Sequence, residues 1–385
     1  MTRFADRTGP IRLGMVGGGQ GAMIGSVHRV AARLDGHFRL VAGALSSTPD
    51  KARASAADLG LAEGRTYSDF TEMARREARL KDGIEAVSVV VPNHMHLPVA
   101  REFLKRGIHV ICDKPLTGTM RDARKLEKAA AGSDALFVLT HNYTGYPMVR
   151  EARARVARGD LGPIRLVQVE YPQDWLGEVP DPSNKQAAWR TDPAQSGAGG
   201  STGDIGTHAW NLMRYVTGLV PEALAADLQS FVPGRELDDN AHVMLRFEGG
   251  ARGMLWCSQV ASGSENTLKI RVFGEKAGLE WSHDTPEKLR VTPLGGVTTI
   301  VTRGSVASDP ASLRLTRIPA GHPEGFLEAF ANIYAEAAAA IRAARTGAPL
   351  PPGVHFPGIA EGVEGVAFVE ACVRSSRRNA AWVSL

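Results

Sequence analysis

The chain has 385 residues, 43% hydrophobic and 22% charged, with a formal net charge of +4. That length suggests two domains, and the balance excludes a disordered chain. Acids and bases are interspersed with no basic block or basic–aromatic stripe, so no nucleic-acid partner is expected. Cys112, Cys257 and Cys372 are far apart, which points to reduced thiols in the cytoplasm and not to a disulfide framework. Met1–Pro10 has no apolar stretch and no apolar run is long enough to span a bilayer, so neither export nor a membrane partner is expected.

Ile11–Val16 is a short apolar run that reads as a buried parallel strand. Five glycines follow within nine residues, and the chain then turns amphipathic through Val27, Val30, Ala31 and Leu34. In that strand–turn–helix setting, Gly17-x-Gly19-x-x-Ala22 reads as a dinucleotide loop. The first glycine allows the tight turn, the second lets backbone N–H groups approach a pyrophosphate, and the small third residue lets helix and strand pack closely. The helix N-terminus adds partial positive charge. Cofactor contacts are expected from Gly17, Gly19, Gln20, Gly21, Ala22, Met23 and Ile24. Gly25 is a second candidate for the third small position, on a longer loop.

Phe38–Leu45 reads as the next strand, ending at Ser46-Ser47-Thr48, where the adenosine ribose is met. No acid stands there to bond a 2′-hydroxyl and no arginine to clamp a 2′-phosphate. Ser46 and Ser47 suit NAD or NADP, and the missing cation tips the reading to NAD. Helices are expected over Asp50–Leu59 and Ser68–Arg79, the latter capped by Ser68. Strand Ala86–Val91, helix Leu97–Arg106, strand Ile108–Cys112, helix Met120–Ala131 and strand Ala135–Leu139 complete an α/β, doubly wound parallel sheet. A boundary near residue 140 gives domains 1–140 and 141–385. Beyond it, helix Pro147–Arg158 precedes strand Ile164–Tyr171, and Pro172–Gly200 is an irregular stretch suited to a site wall. A helix spans about Gly203 to Thr217. Strands Glu222–Ser230, His242–Phe247, Ala251–Val260, Asn266–Phe273, Gly278–Trp281, Leu289–Thr292 and Thr298–Thr302 follow with short turns, which favours a largely antiparallel sheet. Gly325–Ala344 and Gly358–Arg374 read as helices.

Three places can carry chemistry. Lys114, in Asp113-Lys114-Pro115, leaves the C-terminal end of a buried strand. Asp204 and His208 are spaced to share one helix face after a glycine-rich approach. Pro92, Asn93 and His96 follow strand Ala86–Val91, where a nicotinamide ring would lie. Oxidising a secondary alcohol removes a proton from oxygen and a hydride from carbon. An imidazole accepts that proton near neutral pH, an ammonium stabilises charge developing on oxygen, and a carboxylate orients the hydroxyl or the lysine. His94, His96, His141, Asp204 and His208 match no zinc spacing, so no metal is expected.

Taken together, the glycine loop, Pro92-Asn93-x-x-His96, Asp113-Lys114-Pro115 and Gly199-Gly200-x-x-x-Asp204-x-x-x-His208 resemble the Gfo/Idh/MocA family, the glucose–fructose oxidoreductase and inositol dehydrogenase relatives. The resemblance spans nearly the whole chain, Ser375 and a final Ala381–Leu385 strand included. It implies a Rossmann domain, a C-terminal α/β domain with a large open sheet used for oligomerisation as a homodimer or homotetramer, and NAD(P)-dependent oxidation of a sugar or cyclitol. It assigns Lys114 and Asp204 to the reacting hydroxyl and His208 to acid/base work, with the same groups able to run as a keto-sugar reductase. Asp113 replaces the family's usual glutamate. Asn142–Tyr146 lacks the usual arginine, Asn211 stands where an aspartate often follows the histidine, and the glycine loop is about three residues longer between Gly17 and His28. Asn142, Tyr143, Trp175, Lys185, Trp189 and Arg190 are expected at a polyol, the aromatics against C–H faces and the others on hydroxyls. Gly321–Gly325 is expected beside the same cleft. The rival from another class is a regulator that senses NAD(P) without turnover.

Overall fold

Ala86–Val90 is buried at every residue, as a strand covered on both faces must be. The computed structural model describes residues 9–181 and 183–385; the reading of Met1–Pro10 falls, for residues 1–8, outside the described residues. Strands β1 (Ile11–Gly17), β2 (Phe38–Ala44), β3 (Ala86–Val90), β4 (His109–Cys112) and β5 (Phe137–Leu139) form a parallel sheet in the order β2-β1-β3-β4-β5. The alternating strands and helices expected from the sequence are present throughout.

This strand order explains a departure from a single boundary near residue 140. The crossover from β1 to β2 runs one way across the sheet, and the next three run the other way. Right-handed connections therefore stack the later helices on one face and leave the opposite face only helix Met23–Leu34. The chain supplies the missing cover from far downstream. Helix Phe326–Thr346 packs Phe330, Ile333, Tyr334, Ala337 and Ile341 against Ile11, Leu13, Phe38, Ala86 and Ile111. The first compact unit thus takes in Phe326–Val363 besides the described residues up to Thr117 and Arg121–Asn142. The helix expected over Ser68–Arg79 runs from Phe70 to Glu77. Asp69, not Ser68, is its cap, accepting from the Thr71 N–H.

The second unit comprises Gly118–Met120, Tyr143–Gly325 and Glu364–Leu385. Its strands are β6 (Ile164–Pro172), β7 (Pro221–Gln229), β8 (Asn240–Phe247), β9 (Arg252–Ser258), β10 (Lys269–Gly274), β11 (Ala277–Ser282), β12 (Lys288–Pro293), β13 (Thr299–Thr302) and β14 (Val383–Ser384). They form a nine-stranded sheet in the order β13-β12-β11-β10-β6-β9-β8-β7-β14. Only β6 and β9 pair in parallel, so the sheet is mostly antiparallel. β8 alternates buried and exposed residues along its length, the pattern of a sheet with one covered face and one open face. Pro172–Gly200 is less irregular than expected. It holds the short helices Lys185–Arg190 and Pro193–Ser196, started by Asn184 and Asp192, whose side chains accept backbone N–H groups. No described helix is long and apolar enough to cross a membrane.

Candidate active site

In the first unit the expected residues sit on loops at the C-terminal ends of the strands. Gly17 closes β1 with φ +79°, and a Cβ there would lie 2.1 Å from the Val90 carbonyl oxygen. Gly25 settles which residue allows close packing. It is buried in helix Met23–Leu34, and a Cβ on it would stand 2.5 Å from Gly18 Cα. Ala22 instead precedes the helix in an extended conformation. The first helical turn has no side-chain cap and no acid, so its N–H groups from Met23 onward suit an anion. Gln20 and Ala22 spend their N–H groups within the protein, on Ser55 Oγ at 3.0 Å and the Gly19 carbonyl at 3.0 Å. The loop, Ser55, Asp58 and Arg29 border a cleft of about 390 Å³. Arg29, which the sequence reading missed, donates to the Gly18 carbonyl at 2.6 Å and places a guanidinium beside the loop. Glycines with no room for a Cβ, uncapped donors and a nearby cation fit a dinucleotide pyrophosphate. Ser46 Oγ accepts the Thr48 N–H at 3.1 Å, and Ser47 is exposed.

Pro92 starts a single turn over Asn93–Met95, with Asn93 buried. His96 follows on the next helix. Its ring is fully buried with Nδ1 2.7 Å from the Pro115 carbonyl and Nε2 2.9 Å from the Val91 carbonyl. It lies between the loop after β3 and the loop after β4 with a carbonyl oxygen against each ring nitrogen, and a neutral ring donates to one of the two. Burial lowers its pKa against the pull of Asp113. Lys114, half-buried, leaves the end of β4, and its N–H donates to Asp113 Oδ1 at 2.9 Å. The same oxygen accepts the Thr140 hydroxyl at 3.0 Å. Burial opposes ionisation of Asp113, but His28, Lys114 and His96 outweigh it and hold its carboxyl below the usual range. His141, also missed as a site residue, is buried beside them. Desolvation and the Lys114 ammonium push its pKa down to about 3, so it is a neutral ring at working pH. Asn142 is buried, and among the described residues its Nδ2 has no hydrogen-bond partner, which leaves a donor that suits a ligand.

In the second unit Asp204 and His208 lie on one continuous helical segment. Its start is a π turn, Thr202–Gly206, leading into α-helix Thr207–Thr217; such turns are rare and recur at functional sites. Asp238, absent from the sequence reading, fixes that start. Its buried carboxylate accepts from the N–H groups of Gly200 and Thr202 and from the hydroxyls of Ser201 and Thr202, at 2.7–3.0 Å. Asp204 Oδ2 accepts from Gln259 Nε2 at 2.9 Å and from Arg190 Nε at 3.3 Å. The Arg190 guanidinium lies over Trp189 at 4.2 Å and Trp175 at 5.8 Å, which unites three of the expected substrate residues. Lys185, on the same short helix, is exposed. His208 is 8% exposed and meets the Tyr143 ring edge-on at 5.0 Å. Tyr143 and Tyr171 share a short hydroxyl–hydroxyl hydrogen bond. Burial raises the Tyr143 pKa to about 12, so it stays a neutral wall beside the imidazole. Glu324 is buried, accepting from Arg303 and the N–H groups of Arg317 and Ile318, so it braces its loop. Lys114 belongs to the first unit, and Asp204 and His208 to the second.

A glycine-loop parallel sheet joined to an acid–histidine helix on a mixed sheet defines a dinucleotide-binding oxidoreductase. The comparisons agree: residues 11–141 match the oxidoreductase family model with an NAD-binding Rossmann fold, and residues 149–280 match the Gfo/Idh/MocA C-terminal domain. An uncharacterized oxidoreductase of Bacillus subtilis, YfiI, is 34% identical over 97% of this chain and 96% of its own. A crystal structure of an oxidoreductase from Sinorhizobium meliloti is 60% identical, with a TM-score of 0.90 over 98% of this chain and 100% of that one. An inositol dehydrogenase homolog from Azotobacter vinelandii, solved with NADH and myo-inositol, is 38% identical, with a TM-score of 0.93 over 98% of each chain. The chain belongs to the Gfo/Idh/MocA family of NAD(P)-dependent oxidoreductases.

Proposed function

We propose that the protein oxidises a secondary hydroxyl of a neutral sugar or cyclitol, with NAD as hydride acceptor, in the cytoplasm. The glycine loop, the first turn from Met23 and Arg29 would hold the pyrophosphate, with Ser46 and Ser47 at the ribose and Pro92, Asn93 and Lys114 toward the nicotinamide. The cofactor supplies the hydride acceptor. His208 takes the hydroxyl proton, Lys114 donates a hydrogen bond to the oxygen as charge develops, and Asp204 orients the hydroxyl. The observation that carries this reading is Asp204, gripped by Gln259 and Arg190 and set four residues before His208 on one helix.

The same grip supports a neutral substrate. Arg190 is engaged by Asp204, by the Gln186 carbonyl and side chain, and by two indole faces, which makes it a poor clamp for a substrate carboxylate or phosphate. Trp175, Trp189 and Tyr143 offer flat faces to C–H groups, with Asn142 and Lys185 on hydroxyls. The myo-inositol bound by the Azotobacter homolog supports a cyclitol in particular. NAD is favoured over NADP because Ser46-Ser47-Thr48 brings no cation to a 2′-phosphate.

The test is a panel of sugars and cyclitols with NAD and NADP, followed by absorbance of the reduced nicotinamide. Lys114→Ala should keep cofactor binding and lose about 10²-fold or more in kcat. Unchanged turnover in that variant contradicts the assignment, and cofactor binding with no turnover on any substrate favours a sensing regulator. The open sheet face exposes Leu166, Met244, Met254 and Phe273, which supports assembly as a homodimer or homotetramer.

A further inference from the structure

Behind Asp113 the first unit buries a row of polar side chains that the reaction above does not use. His28, on helix Met23–Leu34, is 0% exposed. Its Nε2 stands 3.8 Å from Asp113 Oδ1, and its Nδ1 is 2.8 Å from the Tyr334 hydroxyl. That hydroxyl is in turn 2.6 Å from Ser88 Oγ. Tyr334 comes from helix Phe326–Thr346 and Ser88 from β3. Phe330 meets the His28 ring edge-on at 5.0 Å, so the ring is held by an aromatic neighbour as well as by the Tyr334 hydroxyl.

Donor bookkeeping selects one protonation pattern. An ionised carboxylate accepts only, so the nitrogen facing Asp113 must carry the proton. In a neutral ring Nδ1 is then a bare lone pair that accepts from the Tyr334 hydroxyl. The Tyr334 oxygen is left to accept from Ser88. Reversing the ring tautomer would turn a lone pair toward the carboxylate in a buried site. Burial also raises the Tyr334 pKa, which keeps its hydroxyl protonated and able to donate. At 3.8 Å the His28–Asp113 contact is a charge–dipole attraction and not a hydrogen bond.

We infer that His28, held as the Nε2–H tautomer between Tyr334 and Asp113, is a positioning residue for Lys114. It acts through Asp113, whose Oδ1 anchors the Lys114 N–H and the Thr140 hydroxyl. The inference rests on the reading that Lys114 works at the reacting oxygen.

Two measurements test it on the full chain. The first is nitrogen-15 NMR of the histidine rings without cofactor, with His28 assigned by the signals that His28→Gln removes. At neutral pH, Nε2 should be protonated and Nδ1 bare. A wild-type ring protonated on Nδ1 overturns the inference whatever the activity. The second is kinetic. His28→Leu should lose about tenfold in kcat with the NAD KM changed less than twofold. His28→Gln, whose amide can donate from near the position of Nε2, should regain most of that loss. Equal kcat in the Leu and Gln variants, with melting temperatures equal to wild type, overturns it too. If the Leu variant fails to fold, the wild-type spectrum and the Gln variant still decide. Should Lys114→Ala keep full turnover while His28 shows the expected tautomer, the assignment of Lys114 has failed and not the geometry behind it.

Discussion

Each unit anchors its candidate reacting residues to a buried aspartate, and the two aspartates stand in opposite electrostatic settings. Asp113 holds the Lys114 backbone among His28, Lys114 and His96, which overcome its burial and keep it ionised. Asp238 holds the start of the Asp204–His208 helix through four hydrogen bonds, all from backbone N–H and hydroxyl groups. Burial there outweighs the donors and raises its pKa. Similar anchoring is thus achieved by charge pairing in one unit and by dipoles alone in the other. Hydrogen bonds from neutral groups aim a carboxylate, while nearby positive charge is what holds this one ionised when buried.

The largest effect should come from the group those anchors serve. His208→Ala is expected to lower kcat by about 10²–10⁴ with cofactor affinity retained, read by steady-state kinetics beside a cofactor titration. Asp238→Ala should come next. It orphans four donors and is expected to cost about 3 kcal/mol or more in denaturant unfolding, with kcat falling because Asp204 and His208 lose their fixed start. Gly25→Ala drives a Cβ into Gly18 and should cost about 1–3 kcal/mol while raising the cofactor KM.

The pH dependence of stability separates the two aspartates more finely. The Asp113 pKa is lowered by folding, so its stabilisation is complete above the unfolded value near 3.8 and is lost as pH falls through the lower folded value. The Asp238 pKa is raised, so its contribution declines as pH climbs from about 3.8 through the higher folded value. Asp113→Asn should therefore cost more stability at pH 7 than near pH 3, and Asp238→Asn less at pH 7 than near pH 4. Matching pH trends in unfolding experiments would erase the contrast. The smallest effect is expected from Trp175→Ala, a few-fold rise in substrate KM with kcat nearly kept, because Trp175 supplies only an apolar face.

The candidate residues of the first unit were the more legible in the sequence, because they sit at strand ends. Glycines mark the loop after β1, and Lys114 follows an apolar run. What the sequence hid there depends on long-range packing. Tyr334 lies 306 residues after His28, and nothing local announces that its helix covers the first sheet. In the second unit the spacing of Asp204 and His208 was readable as a shared helix face. Asp238 and Gln259 were not, since each reaches the site from a loop or strand end with no motif around it. The burial of the His96 ring between two backbone carbonyls was not readable either, since it depends on where the loops after β3 and β4 meet. Gly25 could be named as a candidate but not chosen over Ala22, because the choice turns on where the helix begins.

The most direct measurement is a double-mutant cycle on kcat between Lys114→Ala and His208→Ala. If both groups serve one reacting oxygen, removing Lys114 from the enzyme already lacking His208 should cost far less than removing it from wild type. Losses that simply multiply would mean that the two residues do not act at a common centre.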